Sequence, residues 1–96
     1  MTELLSEQGI AEALRGLPEW RRVGDAIERS AELAGFPEAI EVVNRVAERA
    51  ESANHHPDID IRWRTVTFRL STHSHGGITE KDIALAGEID GVIPSV

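Results

Sequence analysis

The chain contains no cysteine and no tyrosine, and its four aromatic residues are two phenylalanines and two tryptophans. Without cysteine there are no disulfides, no thiolate metal ligands and no cysteine nucleophile, which removes several enzyme classes together. No apolar run approaches the roughly 20 residues that a bilayer span requires. The opening MTELLSEQG carries two acids and no basic segment, so it does not read as a secretory leader, and a cytoplasmic location is the expectation. Basic residues are also scarce: ten Lys and Arg stand against seventeen Asp and Glu, a formal net charge of −7. Such a surface repels phosphate backbones and anionic lipid, so neither nucleic acid nor a membrane is expected as a direct partner.

What is present suits one globular domain spanning residues 1–96, because a chain of this length cannot support two cores. SEQGIAEALR, from Ser6, sets Ile10, Ala13 and Leu14 at helical spacing behind a possible serine cap, and Gly16 with Pro18 ends it. Trp20 and Val23, a Gly24-Asp25 turn, and then Ile27, Arg29, Ala31 and Leu33 alternating with polar neighbours predict a hairpin. Its second strand is short of the β-branched and aromatic bulk that strands favour. The period changes after Gly35-Phe36-Pro37. A stripe of Ala39, Ile40, Val43, Val46, Ala47 and Ala50 predicts a helix over 37–53, which must stop before Pro57.

Beyond the proline, Ile59, Ile61 and Trp63 take odd positions while Val66, Phe68 and Leu70 take even ones. A straight strand cannot change its inward parity, so a hairpin is expected. A reversal at Arg64-Thr65 would pair Trp63 with Val66, Ile61 with Phe68 and Ile59 with Leu70, and a bulge at the same place is the other way to shift the phase. Thr79 then caps a last helix with Ile83, Ala86 and Ile89 inward. The expected fold is α+β, in the order α-β-β-α-β-β-α, with a four-stranded antiparallel sheet and three helices packed on one face.

All four histidines, His55, His56, His73 and His75, fall in one short window. Histidine is the side chain best suited to give and take protons near neutral pH. Glu51 and His55 stand four apart at the end of the central helix, where the carboxylate can orient the imidazole. The plain alternative is that His55 and His56 cap the last helical carbonyls and face water. The Arg64-Thr65 reversal, extended outward, would set His56 opposite His73, so that the sheet itself gathers the imidazoles. Thr79-x-x-Asp82 has the form of a capping box, which by itself accounts for Asp82. Trp63 and Trp20 read more simply as core than as ligand contacts. A metal site built from HH and HSH suffers because adjacent histidines point apart in an extended chain. A Ser-His-Asp arrangement through Ser71 or Ser74 lacks a strained nucleophile turn.

Glu51, then His55-His56-Pro57, Trp63, His73 and Asp82 at these spacings resemble the signature of the pterin-4a-carbinolamine dehydratases. AIER at 26–29, GFPEAIEVVNRVAERAE at 35–51 and THSHGGITEKDIALA at 72–86 extend the resemblance over nearly the whole chain. Ala31, Leu33 and Val42 stand where that family often has aromatics, and Trp63 where it commonly has tyrosine. The resemblance implies a hydro-lyase that expels the 4a-hydroxyl of a hydroxylated tetrahydropterin as water, needing no metal or redox cofactor. It further implies His55 and His73 as an acid/base pair, with His56 in support, and Glu51, Pro57, Trp63 and Asp82 around the substrate. Under that reading Glu51 orients His55 or binds the pterin ring, and Asp82 supports His73. A homodimer or homotetramer is the implied assembly. The same fold also serves in non-catalytic dimerisation or assembly cofactors, which is the alternative function.

Overall fold

The computed structural model describes residues 3–95 of the chain. Its elements are α1 (Glu7–Arg15), β1 (Arg21–Val23), β2 (Ala26–Glu32), α2 (Phe36–Ala53), β3 (Asp58–Arg62), β4 (Thr65–Leu70) and α3 (Glu80–Val92), with 3-10 turns at His73–His75 and Ile93–Ser95. The strands form one antiparallel sheet in the order β1-β2-β4-β3, as the α+β expectation requires.

Register sorts the side chains onto two faces. Ile27, Arg29 and Ala31 lie opposite Leu70, Phe68 and Val66, and all of these except Arg29 are buried against the helices. The opposite face carries Glu28 beside Arg69, Ser30 beside Thr67 and Glu32 beside Thr65. It is polar and held by cross-strand contacts such as the 2.7 Å hydroxyl pair of Ser30 and Thr67. The sheet therefore has one apolar face, and α2 and α3 cover it with Ala39, Val42, Val46 and Ala50 from one helix and Leu85, Ala86, Ile89 and Val92 from the other. Each fully buried Leu, Ile, Val or Phe contributes about 1.5–3 kcal/mol against exposure. Alanine at 39, 50 and 86 lets the helix backbones approach closely. The inner stripe of α2 is narrower than its periodicity predicts: Val42 is at its centre, Val43 is only partly covered and Ala47 is exposed.

β2, the strand with weak intrinsic preference, lies in the middle of the sheet with six residue pairs to β4. Pairing on both sides overrides its composition. Arg29 is the one charge that β2 places on the apolar face. It reaches Asp90 of α3, which also accepts a 2.8 Å hydrogen bond from the Trp20 indole. This cluster fastens the far end of α3 to the sheet.

The β3–β4 hairpin differs from expectation in its turn. Arg62 closes on Thr65, Ile61 pairs with Val66 and Ile59 with Phe68, so the two-residue reversal is Trp63-Arg64, with Trp63 at φ +53°. Both registers are odd sums, and a slip of two residues leaves every side chain on the same face. The hydrophobic alternation therefore cannot separate them. A local feature that fits the observed turn is the Arg64 carbonyl, which accepts from Leu33 N–H at 2.8 Å. Trp63 accordingly leaves the core and is 71% exposed, with the Arg64 guanidinium 4.8 Å over its ring.

Candidate active site

The end of α2 decides where the first two imidazoles point. Asn54 adopts the left-handed conformation at φ 50°, ψ 43°. His55 N–H then bonds the Ala50 carbonyl at 3.0 Å and Asn54 N–H bonds that of Glu51 at 3.1 Å. This is the Schellman ending of a helix, in which asparagine substitutes for the commoner glycine. The reversal swings His55 inward, while His56 stays outside and Pro57 leads the chain into β3.

Consequently the two histidines acquire different carboxylates. His55 Nε2 lies 2.6 Å from Asp82 Oδ1, with side-chain exposures of 10% and 0%. His56 Nε2 lies 2.8 Å from Glu51 Oε1, at 58% and 81%. The expected Glu51–His55 pairing is thus corrected. Helical i,i+4 geometry does not extend through a left-handed residue, so Glu51 meets the fifth residue on rather than the fourth.

Asp82 is the hub of the buried network. It occupies the third position of α3, and with Thr79 it forms the capping box read from the sequence. Its Oδ2 accepts from the Thr79 backbone N–H at 2.9 Å and from the Thr72 hydroxyl at 2.8 Å, and its Oδ1 faces His55. Thr72 and Thr79 hydroxyls are themselves 2.7 Å apart. The loop that supplies them is closed by the Thr72–Gly77 bridge and strapped by the N-terminal segment, where Leu5 N–H bonds the Ile78 carbonyl at 2.9 Å. The expectation that Asp82 supports His73 is therefore corrected: its imidazole partner is His55.

His73 follows Thr72 directly. Its exposed ring, at the start of the His73–His75 turn, has no polar side-chain partner among the described residues. The observed register, extended outward, sets Ser71 rather than His73 opposite His56. Asp82 ties the two histidine segments together, holding the His55 ring directly and the residue before His73 through the Thr72 hydroxyl. The only buried side-chain nitrogens or oxygens without a partner among the described residues are Arg29 Nε and Arg64 Nε. The His55 Nδ1 therefore opens to solvent, on a ring whose other nitrogen is anchored.

The remaining positions separate. Pro57 stands beside the histidine pair at the start of β3. Trp63 lies at the opposite end of that five-residue strand, about 17 Å along at 3.4 Å per residue, so within one chain it is not gathered with the imidazoles. The His75 side chain bonds, among the described residues, only its neighbour Ser74, at 3.0 Å, and Ser71 donates to the Asp25 carbonyl at 2.9 Å. Neither serine meets His55. No three His, Asp or Glu side chains converge as ligands for one ion among the described residues. The residue missed by sequence reading is Thr72. Its only signal was position, a hydroxyl at a strand end immediately before a candidate histidine.

A paired buried imidazole and carboxylate at the mouth of an antiparallel sheet, with a second histidine one residue from the carboxylate's other donor, defines a candidate site on an α+β scaffold. The family model for pterin 4 alpha carbinolamine dehydratase matches residues 3–92, and the chain belongs to that family. It is 64% identical over 89 residues to a relative from Nocardia farcinica that carries the pterin-4-alpha-carbinolamine dehydratase name, covering 93% of this chain and 94% of the relative. A similarly named relative from Mycobacterium tuberculosis is 54% identical over 89 residues, covering 93% and 95%. The crystal structure of a transcriptional coactivator/pterin dehydratase from Brucella melitensis superposes with a TM-score of 0.92 at 34% identity, over 95% of this chain and 99% of that one. A pterin dehydratase-like RuBisCO assembly factor of the alpha-carboxysome shares the fold alone, with a TM-score of 0.68 at 18% identity over 78% and 89% of the two chains.

Proposed function

We propose that the chain dehydrates 4a-hydroxytetrahydropterins, returning them to the quinonoid dihydropterin for reduction and reuse. The reaction breaks the C4a–O bond. The hydroxyl leaves as water after accepting a proton, N5 loses its proton, and the N5 electron pair forms the new double bond to C4a. One group must therefore donate a proton and another accept one. His55 and His73 take these roles, and His56, with Glu51 beside it, supplies electrostatic and positioning support at the rim. Pro57 shapes the entry, and Trp63, remote from the imidazoles of its own chain, belongs to the substrate surface only through an assembled form. The observation that supports this reading best is the Asp82 carboxylate, bonded through one oxygen to His55 and through the other to the residue preceding His73.

Self-association fits the same reading. β3 is an edge strand whose five residues are all exposed, and its helix-side residues Ile59 and Ile61 remain 37% and 38% accessible. An unpaired edge with apolar side chains favours pairing with another copy, so the working form is a homodimer or a dimer of dimers in the cytoplasm. The test is direct. The 4a-carbinolamine is generated in situ and the appearance of quinonoid dihydropterin is followed with and without the protein. Acceleration over the spontaneous rate is expected; its absence would leave a partner-binding or assembly role for this fold.

A further inference from the structure

We infer that Thr72 and Thr79 are positioning residues: their hydroxyls, joined head to tail, hold Asp82 as a proton acceptor and so fix His55 as the Nε2–H tautomer, with Nδ1 the working nitrogen. This deepens the proposed dehydratase site and rests on that reading for its catalytic consequence, although the tautomer itself does not.

Proton accounting along the network carries the inference. Each threonine hydroxyl has one proton and two acceptor sites. Thr79 Oγ1 accepts from Lys81 N–H at 3.2 Å, and because the Thr72 proton goes to Asp82 Oδ2, the proton in the 2.7 Å contact between the two hydroxyls is that of Thr79. Thr72, accepting there, directs its proton to Asp82 Oδ2 at 2.8 Å, where the Thr79 backbone N–H also arrives at 2.9 Å. The hydroxyl chain therefore runs in one direction, from the start of α3 to the carboxylate. Every hydroxyl proton in it is assigned, and a carboxylate is acceptor-only. Asp82 Oδ1 then has no proton to offer, and the 2.6 Å contact is donation from His55 Nε2–H. That places the unshared pair on Nδ1, the nitrogen open to solvent.

The assignment also explains why buried threonines occupy both positions. Valine has the same shape, but at 72 it would remove a donor from Oδ2 and orphan the Thr79 proton. With its geometry loosened, the carboxylate would hold Nε2–H less firmly, so the neutral ring could turn away from Oδ1 and populate the Nδ1–H form with no change in proton count, and that form cannot act as a base through Nδ1.

The experiment reads the His55 ring by nitrogen-15 NMR on the labelled full chain, at a pH above the midpoint of its own titration. The wild type should show one species, with Nδ1 unprotonated and Nε2 carrying the proton. Thr72→Val should show a mixture of tautomers and a turnover lower by roughly tenfold, the size of one hydrogen bond to a charged group. Thr72→Ser, which keeps the hydroxyl, should restore both. A wild-type ring protonated at Nδ1 overturns the inference without any variant, as does a Thr72→Val protein with one unchanged tautomer and full turnover. A wild type with the expected tautomer but no acceleration of dehydration would refute the proposed function and leave the tautomer assignment standing.

Discussion

Two carboxylate–imidazole pairs sit on adjacent histidines and have nearly equal lengths, 2.6 Å for His55–Asp82 and 2.8 Å for His56–Glu51. They nevertheless differ in kind. The first joins the end of α2 to the start of α3, 27 residues apart, with Asp82 wholly buried and two further donors on it. The second joins residues five apart on a helix end that faces water. Distance alone does not separate them; dielectric surroundings and the number of bonds lost with either partner do. The first is an element of the fold as well as of the site, and the second belongs to the surface.

Removing the buried carboxylate should have the largest effect. Asp82→Ala leaves His55, the Thr72 hydroxyl and the Thr79 N–H without their acceptor and removes half of the α3 capping box. Breaking one side of a buried pair typically costs about 3–5 kcal/mol, to be read as a lower midpoint in urea denaturation. A loss below about 1 kcal/mol would put this pair in the same class as its exposed neighbour. Asp82→Asn keeps the shape and one acceptor oxygen, and should lose less stability than the alanine variant.

Next comes a variant that separates chemistry from folding. His73 is exposed and makes no polar side-chain contact among the described residues, so His73→Ala should leave the urea midpoint unchanged to within about 0.5 kcal/mol. Turnover in the carbinolamine assay should nevertheless fall by roughly 10²–10⁴, the contribution of a positioned acid or base. Full dehydration rate in that variant would remove His73 from the acid/base pair. Asp82→Ala, by contrast, is expected to lower stability and turnover together.

The contrast between the pairs also marks how far the sequence could be read. Element order, the ends of α2, the Ser6 and Thr79 caps and the four-stranded antiparallel sheet all follow from period and cap chemistry, which are local. The capping box was visible as Thr79-x-x-Asp82, but its tie to His55 crosses 27 residues and depends on one left-handed asparagine. A spacing of four predicted Glu51 for His55, and the αL residue between them diverted it. Parity in β3 and β4 located a hairpin but left its register open by two residues and its turn by one, since both alignments bury the same faces. That slip displaced Trp63 from the core to an exposed turn and His56 from a position facing His73. Thr72 escaped notice because a single buried hydroxyl has no sequence pattern of its own.

The smallest effect should come from the exposed pair, and its value is diagnostic. Glu51→Ala removes a carboxylate whose side chain is 81% exposed, from an imidazole that is 58% exposed. Water competes for both groups, and ordering two mobile side chains offsets much of the attraction, so the change in stability should be no more than about 0.5 kcal/mol. Whatever difference exists should shrink further as salt rises, because at roughly 1 M the screening length falls to about 3 Å. The loss in Asp82→Ala should persist at the same salt concentration, since that carboxylate is wholly buried and its bonds are local. Urea titrations of both variants at low and high salt therefore test the comparison itself. A Glu51→Ala loss above about 2 kcal/mol that salt leaves unchanged would mean that this rim pair is desolvated in the working assembly, with a second copy of the chain covering the end of α2.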